Sequence, residues 1–101
     1  MNSDEGLAPI FANYILKHCK KLNKQGYKGD DIALDGHSHL RYNPLNQFNI
    51  KCLCILYQNT QLRDLVINYL QLKYKINSSY SYEKNDVGAC QHHLSVEWTI
   101  L

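Results

Sequence analysis

From Leu94 to Ile100 the chain alternates without a break. Leu94, Val96, Trp98 and Ile100 fall on one side, and Ser95, Glu97 and Thr99 on the other. A period of two is the mark of a strand with one face buried and one face wet. Residues 93–100 therefore read as a strand. Such a strand needs neighbours to pair with and an apolar layer to cover its inner face. Residues 80–83, where Tyr80 and Tyr82 flank Ser81, and residues 48–57 are the candidate neighbours.

The covering layer is helical. Ala8, Phe11, Ile15, Cys19 and Leu22 recur at steps of three and four, an apolar stripe of helical period. Ser3 or Asp4, with Glu5, suits the positive end of that helix, and Pro9 is expected in its first turn. Lys17, Lys20, Lys21 and Lys24 gather toward the other end, and Gly26 supplies the stop. A second stripe runs through Leu62, Leu65, Val66, Tyr69 and Leu70, with Asn59 or Thr60 as its cap. Its tail, Leu72, Tyr74 and Ile76, alternates instead, so the period changes near residue 71.

The remaining segments are shorter. "DDIALDG" makes a short strand with Ile32 and Leu34 in register. "GHSHLRYNPLNQ" is polar, carries Asn43-Pro44 and reads as a loop. "FNIKCLCILYQ" fits a strand through its cysteine, aromatic and β-branched content, with a helix capped by Asn43 as the competing reading. "SYSYEKNDVG" gives alternation and then a turn. No repeat or linker divides residues 1–101. The expectation is a single α+β domain: two helices packed on a small, mainly antiparallel sheet.

Composition narrows the function classes. Hydrophobic content of 45% against 20% charged residues suits a folded domain and not a disordered chain. A net charge of +2 does not by itself argue for nucleic acid. No run approaches the roughly 18 apolar residues of a membrane span. The N-terminus lacks a basic and apolar leader pattern. The reading is therefore cytoplasmic, without membrane association, and the four cysteines are expected as free thiols.

Three constellations bear on chemistry. His37 and His39, Cys52 and Cys54, and Cys90 with His92 and His93 contain zinc-ligand types. Their spacings match no finger, ribbon or H-E-x-x-H helix. In a strand, Cys52 and Cys54 line one core face more simply. Cys90 beside His92 and His93, with Asp35 or Glu97 to orient a base, has the residue types of a thiol enzyme. A chain this short has little material to enclose a substrate. The expectation is no enzyme, no metal and no cofactor.

What remains is recognition. Eight tyrosines against one tryptophan and two phenylalanines favour a surface of amphipathic contacts. The expected function is a small protein-binding module that blocks a partner's active surface. By analogy of type, it would act as toxin immunity proteins, antitoxins and phage-encoded or bacterial inhibitors do. The candidate contact residues are Tyr27, Tyr42, Tyr80 and Tyr82, Arg41, and the acidic run Asp30, Asp31 and Asp35, which suits a basic partner such as a toxin or nuclease surface. The alternative is a small nucleic-acid-binding or regulatory protein that uses the basic end of the first helix and its neighbours Tyr27 and Lys28.

Overall fold

In the computed structural model of the chain, residues 4–34, 55–84 and 90–101 are described. Helix α1 spans Asp4–Lys24, strand β1 Gly29–Ala33, helix α2 Thr60–Tyr74, strand β2 Asn77–Lys84 and strand β3 Cys90–Glu97. The three strands pair antiparallel in the order β1-β3-β2. The strand that is clearest in sequence is thus the central one. Both helices lie on one face of this sheet, which gives the expected α+β architecture.

The register explains why the sheet has two unlike faces. Ile32, Leu94 and Tyr80 stand in one row across the strands, and Asp30, Val96 and Ser78 in the next. These rows face the helices. Their buried side chains join Ala8, Phe11, Ile15 and Cys19 of α1 and Leu62, Val66 and Leu70 of α2 in one core. The alternate rows, Gly29–Glu97–Asn77 and Asp31–Ser95–Ser79, face outward. Helix α1 reads as its stripe demanded, but it begins at Asp4, so Pro9 lies inside the helix and past its first turn. Gly26, at φ 95°, ends it in the left-handed region where a side chain is unfavourable, and Tyr27 N donates to Leu22 O across that turn. Gly29 has a separate role: a Cβ there would lie 2.9 Å from the Val96 carbonyl oxygen.

Helix α2 starts where its cap predicts. The Asn59 side chain accepts from Leu62 N at 3.0 Å, and its own N–H closes the preceding turn on Ile55 O. Residues 55–58 are helical, so the end of the 48–57 segment is not strand as expected; residues 48–54 lie outside the described residues. The physical reason lies in Asn59 and Arg63. That turn ends against Asn59, and Arg63 Nη1 donates to the freed carbonyls of Leu56 and Tyr57 at 3.4 Å each.

The change of period near residue 71 resolves later than the pattern suggested. Helix continues through Tyr74. Lys75 then turns left-handed at φ 58°, Ile76 N donates to Leu70 O, and β2 begins. A non-glycine residue in that conformation costs roughly 1–2 kcal/mol, and the extra freedom of unfolded glycine offsets part of the relief. Lys75→Gly is therefore expected to raise stability by about 0.5–1 kcal/mol. An unchanged or lower denaturant midpoint would show that the lysine's contacts outweigh the strain.

The last strand differs from its sequence reading at both ends. Its pairing begins at Cys90 and stops at Glu97, where β1 and β2 also run out. Trp98 lies just beyond and still reaches the core, at 4% exposed. Ile100, expected on the same inner face, is 84% exposed. The alternation loses its meaning once the ladder ends, because the chain bends at Thr99. Asn23 secures this tail: its Oδ1 accepts from Trp98 Nε1 at 3.0 Å and its Nδ2 donates to Leu101 O at 3.3 Å.

Candidate functional site

Around Asp31 and Glu97 the outer sheet face is built mostly from short side chains. Gly29, Asn77, Ser79 and Ser95 leave low relief around two exposed acids, Asp31 and Glu97. Ser95 Oγ donates to Asp31 Oδ1 at 2.6 Å, which fixes that carboxylate over the central strand. Tyr27 stands at the rim, 56% exposed. Together they border an open trough of about 740 Å³ that crosses all three strands. Such a shape can receive a protruding side chain of a partner, but it encloses nothing.

The other sequence-chosen residues separate. Asp30 faces the helices, and its Oδ2 accepts from His18 Nε2 at 2.8 Å, tying β1 to α1. Adjacent strand residues point to opposite faces, so Asp30 and Asp31 could not share a surface. Tyr80 also turns inward. The Arg63 guanidinium lies 3.8 Å from its ring centroid, and its hydroxyl bonds His92 Nδ1. Tyr82 is 56% exposed and lies beside the His92 ring on that same side of the sheet. Asp35, Arg41 and Tyr42 lie outside the described residues. Glu97, Asn77, Ser79 and Ser95 were not singled out for binding, and only the pairing register brings them next to Asp31. The alternation of β2 and β3 carried that signal, had the outward residues been read along with the inward ones.

The cysteine and histidine clusters do not converge where they are described. His92 and His93 project to opposite faces of β3. His92 is stacked on Tyr57 at 4.2 Å between ring centroids. Glu97 stands on the outer face, so it cannot orient His92. His37, His39, Cys52 and Cys54 lie outside the described residues, and among those described no group of three potential ligands gathers. Cys19 is buried, and its thiol is pushed up to about 12 by desolvation first and by the Asp30 carboxylate second. A thiol so held stays protonated and is no nucleophile. No described helix is long and apolar enough to cross a membrane.

Comparison with known protein families, characterised proteins and solved structures finds no match to this chain.

Proposed function

We propose that this protein is a small, non-enzymatic binding module that covers a basic active surface on another protein, acting as an inhibitor or immunity-type protein in the cytoplasm. The observation that supports this reading is the outer sheet face. Its two acids stand among serine, asparagine and glycine in adjacent rows of the sheet, with Tyr27 and Lys28 at the border of the trough, which leaves room for a partner's lysine or arginine to reach the carboxylates. Charge-assisted hydrogen bonds to carboxylates are about twice as strong as neutral ones, and opposite charges speed encounter. Tyr27 at the rim adds the type of amphipathic anchor that concentrates binding energy. Asp31 is already held by Ser95, so less order has to be imposed on binding.

The test is retention of a protein partner from nuclease-treated lysate of the source cells, followed by its purification. The wild-type chain is expected to retain the partner, with an association rate that falls as salt rises. Asp31→Lys with Glu97→Lys is expected to abolish retention while circular dichroism stays unchanged. Retention untouched by that double substitution, or seen only when the nuclease is omitted, would overturn the reading.

A further inference from the structure

The opposite side of the molecule carries a different surface. On α1 the outward positions Tyr14, Lys17, Lys20, Lys21 and Lys24 follow at helical steps and form one exposed stripe. The two helices run in the same direction. Asp4 at the start of α1 meets Asn59 at the start of α2, whereas Tyr14 and Lys17 lie near Tyr69 and Tyr74 toward the end of α2. Tyr69 and Tyr74 pack edge to face, with ring centroids 5.9 Å apart. With Ile10, Tyr14 and Lys17 they border an open cleft of about 390 Å³. Ile10 is 53% and Tyr14 36% exposed, although both are large apolar or aromatic groups.

Macrodipole complementarity explains lysines in the last turn of a helix only. It accounts for Lys21 and Lys24 but not for Lys17, and it does not account for the tyrosines. Among the described residues none of these four lysines has a carboxylate partner. The acids of α1, Asp4 and Glu5, sit at its other end. The surface thus offers aromatic faces at one end and, leading away from them, lysines at positions 17, 20, 21 and 24 that have no carboxylate partner among the described residues. Lys17, Lys21 and Lys24 recur at steps of three and four, about one helical turn.

We infer that this cleft and stripe form a groove for single-stranded nucleic acid. Bases stack on aromatic side chains and phosphates follow a basic track, which are the two parts present here. An acidic peptide would answer the lysines but leave the aromatic cleft empty. A duplex would bring phosphates but keep its base faces stacked on one another. A single strand answers both. The inference is independent of the sheet-face reading, since it uses other residues on the other side of the fold.

Fluorescence anisotropy with a short labelled oligonucleotide of mixed sequence tests it, with DNA and RNA strands, the matching duplex and polyglutamate as separate arms. Tighter binding of either single strand than of duplex or polyglutamate is expected. Tyr14→Ala should weaken binding roughly tenfold, as loss of a stacking contact does, and Tyr14→Phe should restore it. Lys17→Glu with Lys20→Glu and Lys24→Glu should remove binding at moderate salt. Asp31→Lys with Glu97→Lys should cause no loss, which separates this site from the sheet face. Tyr14 is exposed, so its variants test the groove without threatening the fold; Tyr74→Ala is a second probe, checked by circular dichroism. The inference is overturned by no anisotropy change at about 100 µM protein in low salt, the weak end of non-specific binding. It is also overturned if duplex or polyglutamate binds as well, or if Tyr14→Ala binds like wild type.

Discussion

Trp98→Ala is expected to remove roughly 3–5 kcal/mol of stability, the cost of truncating a large buried aromatic. That is a large share of the ~5–15 kcal/mol that holds a domain together. The residue makes three contributions, and the alanine variant removes the two that belong to the side chain. Its ring is 4% exposed in the core. Its indole N–H donates to Asn23 at 3.0 Å, fastening the end of α1 to the C-terminal segment. Its backbone N–H donates to Lys28 O at 2.9 Å, extending the link between β3 and the residues entering β1. Both variants lose the indole hydrogen bond, worth ~0.5–1.5 kcal/mol net. Trp98→Phe keeps much of the burial, so it should cost less than the alanine variant by the packing that its ring retains. Urea denaturation followed by circular dichroism measures both, since the tryptophan signal itself is lost. A midpoint for Trp98→Ala within error of wild type would mean that this residue does not belong to the core.

The architecture was legible where one periodicity ran long enough to be read alone. The stripe from Ala8 to Cys19 and the alternation from Leu94 to Val96 each describe a surface that only a second layer can cover. Their pairing into an α+β fold follows from that need. Boundaries were less legible because non-local partners decide them. The alternation through Trp98 and Ile100 looks uniform in sequence, yet the ladder stops at Glu97 because β1 begins at Gly29 and β2 at Asn77. Residues 55–57 have strand-like composition, but Asn59 and Arg63 provide hydrogen bonds that suit a helical turn.

The candidate surface was half legible for a related reason. An acidic run in sequence is not an acidic patch in space when it falls on a strand. Asp30 and Asp31 look alike by composition, and the pleat sends them to opposite sides. The residues that do accompany Asp31, namely Ser79, Ser95 and Glu97, are distant in sequence and become neighbours only through register. Likewise, the tyrosines of the helical cleft come from two helices, and no local pattern could have joined Tyr14 to Tyr69 and Tyr74.

Charge reversal at Asp30 and at Asp31 should therefore have opposite consequences. Asp30→Lys is expected to destabilise the fold by about 1–3 kcal/mol, because it strands the buried His18 ring nitrogen that now donates to the carboxylate. Asp30→Asn keeps an oxygen that can accept from His18 and should lie between wild type and Asp30→Lys. Asp31→Lys faces solvent on the outer sheet and forfeits only the exposed Ser95 contact, so its midpoint should stay within about 0.5 kcal/mol of wild type. The order of denaturant midpoints, Asp31→Lys near wild type, then Asp30→Asn, then Asp30→Lys, checks the assignment. Equal destabilisation at the two positions would sink it, because that result requires both aspartates to be engaged in the fold. If the order holds and only Asp31→Lys also loses the protein partner while remaining folded, one carboxylate of the run serves stability and its neighbour serves recognition.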